Sequence, residues 1–139
     1  MSYITYPQEN GQVAVIIPAD PSLSIEEIAA KDVPAGTTYK IVDSLDIEND
    51  YFNAYEFHAD LGASVNITKA KELHLNKFRE ARSPKLAALD IAYSRADETA
   101  DTAKKAEIAA QKQALRDVTK TLLPDDLAGI KATWPTILS

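Results

Sequence analysis

The chain has 139 residues, 45% of them apolar, a formal net charge of −6 and no cysteine. That is enough for one domain or two small lobes; it excludes a disulfide framework or thiolate metal site, and an acidic chain without about 18 consecutive apolar residues is not expected to bind nucleic acid or span a membrane. The charge is uneven: residues 1–68 carry two basic side chains against eleven acidic ones (−9), and residues 69–139 carry 13 against 10 (+3), which suggests two lobes with different surfaces.

The opening Met1-Ser2-Tyr3-Ile4-Thr5-Tyr6-Pro7 lacks the basic and apolar regions of a secretory signal. Asn10-Gly11 is a turn signal, and Val13-Ala14-Val15-Ile16-Ile17, closed by Pro18, reads as a strand buried on both faces or nearly so. Ser24 and Glu27 form a capping box that should open a helix from about Ile25 to Lys31, with Ile25 and Ile28 inward. After the turn at Val33-Pro34-Ala35-Gly36, Thr37 to Val42 reads as a second strand. Asp43 to Asn53 is acidic and irregular, with a helical turn near Asp50–Asn53. Tyr55, Phe57 and Ala59 alternate with polar neighbours as a third strand with an aromatic face. Leu61-Gly62-Ala63-Ser64 reads as a turn, and Ser64 to Ile67 as a short fourth strand that could complete a hairpin with the third.

At Thr68 the pattern changes from a period of about 2 to about 3.6. Ala70, Leu73, Lys77 and Ala81 mark the stripe of a first helix to about Arg82, with Leu75 and Phe78 nearby; Ser83-Pro84 should end or kink it and open a second, striped by Leu86, Leu89, Tyr93 and Ala96. Asp101 caps a third helix over about Thr102–Lys120, striped by Ile108, Leu115 and Leu122 with Val118 between, and alanines 103, 106, 109, 110 and 114 permit close approach. Asp125 caps a last short helix before the apolar tail from Trp134. The expected fold is therefore α+β: a β-rich lobe over 1–67, then a lobe over 68–139 holding an antiparallel helical hairpin and a short C-terminal helix.

No pattern in the chain carries catalysis. Gly62-Ala63-Ser64 is a turn, not a nucleophile elbow, and four glycines cannot line a phosphate cradle. His58 and His74 lie in no ligand-spaced cluster, with His58 on the polar, solvent-facing side of its strand. The acidic run Asp43, Asp46, Glu48, Asp50 lacks the mid-loop glycine and closing glutamate of a calcium loop. The expectation is no enzyme, no cofactor and no metal. What remains are surfaces. Tyr51, Phe52, Tyr55 and Phe57 are either the core of a small lobe or an interface patch. Ile108, Leu115, Val118 and Leu122 form a helical seam, and Trp134 either pins the tail or anchors a partner. The basic stretch from Lys69 to Lys85 is a solvated helix side or a contact for an acidic neighbour, such as the N-terminal lobe of another copy.

The helix Lys112-Gln113-Ala114-Leu115-Arg116-Asp117-Val118-Thr119, with its terminal Trp134-Pro135, resembles the C-terminal signature of bacteriophage tail-fibre assembly and tail-module proteins. Residues 4–68, through Ser24-Ile25-Glu26-Glu27-Ile28-Ala29 and Asp32-Val33-Pro34-Ala35-Gly36-Thr37-Thr38-Tyr39-Lys40-Ile41-Val42, look like the N-terminal half of small tail-module proteins. Residues 69–120 look like their helical half. Tail-fibre assembly chaperones commonly carry more tryptophan and a Tyr-Arg where this chain has Gln111-Lys112. The resemblance implies a non-enzymatic tail component at the baseplate or fibre attachment, made in the host cytoplasm and retained in the virion. It would be present in several copies and partnered by other tail proteins. The alternative is an assembly chaperone absent from the finished particle.

Overall fold

The computed structural model describes Ser2–Ser139 and is a mixed α+β protein. It divides into two compact units, one ending at Ala70 and the other spanning Lys71–Ser139.

The first unit is built on strand β1 (Tyr3–Pro7), flanked by β2 (Val13–Ile16) and β3 (Lys40–Val42) in the antiparallel order β2-β1-β3. β1 is the centre of the sheet, a role its sequence hides by ending in proline; Pro7 sits at the last position, where a missing N–H does least harm. The turn to β2 uses Gly11 at φ +83°, its N–H donating to the Gln8 carbonyl at 2.9 Å. The register Ile4↔Ile16 and Ile4↔Ile41 brings three isoleucines together, and Ile28 and Ala29 of helix α1 (Ile25–Asp32), with Val33 just beyond its end, cluster with Ile4. Ser24 opens α1 as expected, its hydroxyl accepting from the Glu27 N–H at 3.1 Å.

A second sheet, β4 (Tyr55–His58) with β5 (Gly62–Val65), follows a 3₁₀ segment over Asn49–Ala54. Its start comes so close to the first sheet that a Cβ on Gly62 would lie 3.0 Å from Val42 Cγ1 and 3.1 Å from Thr5 Oγ1. Four expectations change here. β5 takes Gly62–Val65, so Gly62, Ala63 and Ser64 are strand rather than turn and Ile67 opens a helix. β2 is an edge strand whose one fully buried residue is Val13, while Ile17 beyond it is 63% exposed. The strand expected over Thr37–Val42 is ordered as β3 only from Lys40. His58 is not simply solvent-facing: its Nδ1 accepts from the N–H groups of Asp60 and Leu61, both at 3.1 Å, and closes the β4–β5 turn.

The expected break at Ser83-Pro84 is absent. Helix α2 runs unbroken from Ile67 to Glu98, with Pro84 inside it. Proline leaves the Glu80 carbonyl without its helical donor, but Glu80, Ser83 and Pro84 are all exposed, so water can take that place. The hairpin is therefore made by α2 and α3 (Thr102–Arg116). The reversal between them places Ala100 at φ +55°, and Asp101 accepts from the Lys104 N–H at 3.0 Å. Ion pairs Lys105–Asp97 and Lys112–Asp90, with Arg82 donating to the Arg116 carbonyl at 3.0 Å, give the antiparallel register.

The inward line of α2 is Ala70, His74 and Phe78, offset from the expected Leu73 and Lys77. Ile108 and Leu115 of α3 are buried, and Val118 follows in a 3₁₀ turn over Asp117–Lys120. That turn ends the α-helix before the heptad reaches Leu122, which is 93% exposed instead of completing the stripe. Alanines 103, 106, 109, 110 and 114 all face outward and do not mediate helix approach. The last helix, α4 (Leu127–Ala132), is capped by Asp126 rather than Asp125, through the Gly129 N–H at 2.8 Å.

Candidate interaction surfaces

The aromatic stretch splits between core and surface. Tyr51 in the 3₁₀ segment and Tyr55 at the head of β4 are buried, and the Tyr55 hydroxyl accepts from the Glu48 N–H at 3.1 Å. Phe52 and Phe57 are half-buried. Phe52 lines a groove of about 330 Å³ with Tyr3, Val15, Ile17, Leu45 and Ile47. So two of the four residues of this patch, Tyr51 and Tyr55, are buried. A single period-2 reading could not show this, because Tyr51 and Phe52 belong to a 3₁₀ turn whose geometry is set by its neighbours.

The seam residues Ile108, Leu115 and Val118 are likewise interior, the latter two with Phe78 and Leu138 in one cluster. Their work is to close the helical unit. Trp134 returns the tail to α2: its ring meets Phe78 edge-on at 5.3 Å and His74 at 6.2 Å, yet it stays 42% exposed. His74 is the residue sequence reasoning passed over. It is 3% exposed, its ring lies 4.9 Å from Phe78, and its Nε2–H donates to the Thr133 carbonyl at 2.6 Å. Its spacing of four from both Ala70 and Phe78 was the available signal.

The two flanks of the hairpin differ. On one, Lys105 and Lys112 each sit 5.7 Å from the centre of the Tyr93 ring and pair with Asp97 and Asp90. Asp97 holds the Lys105 ammonium above its ordinary range. On the other, α2, α3 and the C-terminal turn border an open groove of about 580 Å³, lined by Ala88, Leu89, Ala92, Leu115 and Ile137 together with Lys85 and Gln111.

The charged groups with shifted titration act as local ties. In the first unit Glu56 accepts from Asn66 Nδ2 at 2.8 Å and from Lys69 at 3.4 Å, which together hold its carboxyl below the usual range. In the second, Lys71 lowers Asp125, and Lys120 with Gln113 lowers Asp117. Among the described residues no three His, Cys, Asp or Glu side chains are gathered to hold a metal, and no helix is long and apolar enough to cross a membrane. What the arrangement offers chemically is contact area: apolar side chains at Leu122, Trp134, Ile137 and Ile91 of the second unit, and at Ile17 and Leu61 of the first. No protein-family model, curated protein or solved structure matches the chain.

Proposed function

We propose that the protein is a non-enzymatic structural component of a bacteriophage tail, at the baseplate or a fibre attachment, working through protein–protein contacts. The observation that carries this is the tail-like signature itself. Leu115 and Val118 from Lys112–Thr119 pack with Leu138, and Trp134 sits on Phe78, so the signature is a unit that folds the end of the chain onto the helical core. Around it Leu122, Ile137 and the open face of Trp134 remain as apolar area for neighbours in an assembly. The test is quantitative mass spectrometry of purified particles. Recovery in fixed stoichiometry with known tail proteins supports a structural part. Recovery only from infected-cell lysate, bound to a fibre protein, replaces this function with that of an assembly chaperone. Recovery in neither place removes both.

A further inference from the structure

An asparagine carboxamide can be attacked by the backbone nitrogen of the next residue, because the product is an unstrained five-membered ring. A side chain on that next residue hinders the approach, so glycine there leaves the path open. This chain has five asparagines, and only Asn10 is followed by glycine; the others precede Asp50, Ala54, Ile67 and Lys77. Asn49 and Asn53 lie in the 3₁₀ segment, Asn76 lies inside α2, and Asn66 stands immediately before it, so each is in or at the start of a helical segment. Asn10 is instead exposed at the tip of the β1–β2 hairpin. There the Gly11 nitrogen is restrained by a single turn bond, its N–H donating to the Gln8 carbonyl at 2.9 Å, and the exposed end of a hairpin opens at little cost. Asn10 Oδ1 accepts from the Gln12 N–H at 3.0 Å, which sets a donor on the oxygen where negative charge develops as the ring closes.

We propose that Asn10 is a site of spontaneous deamidation, and that the modification alters the covalent path of the β1–β2 hairpin. The Gly11 nitrogen gives its proton to hydroxide and bonds to Asn10 Cγ. The Cγ–Nδ2 bond breaks, and ammonia leaves with a proton from water, which regenerates the hydroxide and leaves a cyclic imide. Water then opens the ring at either carbonyl. Breaking the new Cγ–N bond gives aspartate, while breaking the bond from the main-chain carbonyl leaves the backbone running through Cγ as isoaspartate. The net change is one water consumed and one ammonia released. Aspartate keeps an acceptor for the Gln12 N–H and adds a carboxylate to a turn that already holds Glu9. Isoaspartate lengthens the backbone within a turn whose ends are tied, the Gln8 N–H donating to the Gln12 carbonyl at 2.9 Å. Gln12 also bridges to Glu56 of β4, and its Nε2 donates to Asn53 Oδ1 at 2.9 Å. The longer backbone displaces Gln12 from these partners and loosens the hairpin from β4. None of this uses a binding partner, so it survives if the tail assignment fails.

Incubating the folded full chain in mildly alkaline buffer, with samples digested by trypsin in acid-quenched steps and read by mass spectrometry, tests it. Cleavage after lysine and arginine puts Asn10 alone among asparagines in the peptide 1–31, Asn49, Asn53 and Asn66 in 41–69, and Asn76 in 72–77. The peptide 1–31 should gain the mass of an amide-to-acid exchange, placed at Asn10 by its fragments, about tenfold or more faster than the other two, the ratio that a barrier difference of about 1.4 kcal/mol produces. The rate should rise with pH, since the nucleophile is a deprotonated amide. Chromatography of the aged protein should resolve two products, and in the isoaspartyl one the Gln8 amide should lose its protection from hydrogen exchange. Asn10→Asp carries the new carboxyl on a normal backbone and should keep that protection. Conversion of any other asparagine before Asn10, or a rate that does not change with pH, overturns the site. A fully protected Gln8 amide in the isoaspartyl product, or its equal loss in Asn10→Asp, overturns the effect on the hairpin.

Discussion

Phe78 is the residue on which the helical unit should depend most. It has no exposed surface, its ring meets those of His74 and Trp134, and it shares one buried cluster with Leu115, Val118 and Leu138, so α2, α3, the 3₁₀ turn after α3 and the tail converge there. Phe78→Ala removes the ring that all of them share. The lost transfer free energy of a buried aromatic is about 1.5–3 kcal/mol. The two edge-to-face pairs, at 4.9 and 5.3 Å, add about 0.5–1.5 kcal/mol each. Partial collapse of the surroundings limits the sum to about 3–5 kcal/mol, a large part of the roughly 5–15 kcal/mol that stabilises a domain. Urea unfolding followed by fluorescence suits the measurement, because Trp134 is the only tryptophan and reports this unit directly. With a slope of about 2 kcal/mol per M, the midpoint should fall by about 2 M at unchanged slope. A fall of less than about 0.5 M would show that the cluster around Phe78 does not hold the unit together, and the account of the tail as pinned would fail with it.

Three further outcomes follow from particular contacts. Gly62→Ala should cost about 1–3 kcal/mol, because the left-handed backbone at φ +85° and the approach to Val42 and Thr5 both oppose a side chain. Gly36→Ala, at φ +77° with nothing within 4 Å, should cost less, and equal losses in denaturant titrations would contradict the close approach. Thr5→Val should raise stability by up to about 1 kcal/mol, since the fully buried Thr5 hydroxyl has no hydrogen-bond partner among the described residues and valine keeps its shape. A lowered thermal midpoint would refute that. The carboxyls of Glu56, Asp117 and Asp125 are depressed in the folded chain, so the unfolded chain takes up protons first as pH falls. Their contribution is therefore present above the ordinary carboxylate values of 4.5 and 3.8 and is lost below them, and Glu56→Gln should flatten the acid slope of the urea midpoint.

Local signals carried the parts of this fold that are set within a few residues. The Ser24 cap, the Asn10-Gly11 turn, the β4–β5 hairpin and the change to helical period near Thr68 depend on short-range hydrogen bonds and side-chain spacing, and a sequence displays those openly. The α+β order followed from them. The candidate surfaces were less legible. Five of the nine residues named for contact, Tyr51, Tyr55, Ile108, Leu115 and Val118, are buried, while Ile17, read as the end of a buried strand, and Ile137, read only as part of the apolar tail, line the grooves. An apolar side chain reads the same in sequence whether its neighbour is this chain or another. Only the fold distinguishes them, by deciding which face of each element is already covered.

Tertiary structure also overruled two strong local cues. Pro84 stops most helices, but here it falls on an exposed turn where water can satisfy the orphaned carbonyl, so the packing of α2 on either side carries the helix through. The heptad of Ile108, Leu115 and Leu122 ends early because the 3₁₀ turn at Asp117–Lys120 changes the rotation per residue and turns Leu122 outward. By itself the sequence determined the α+β order, the Ser24 and Asp101 caps, the Asn10-Gly11 turn and the division of charge, since each is a property of neighbouring residues. Which strand lies central, which helix face is inward, and which apolar residues are left uncovered were decided by tertiary structure, because each depends on residues distant in the chain competing to bury the same surface.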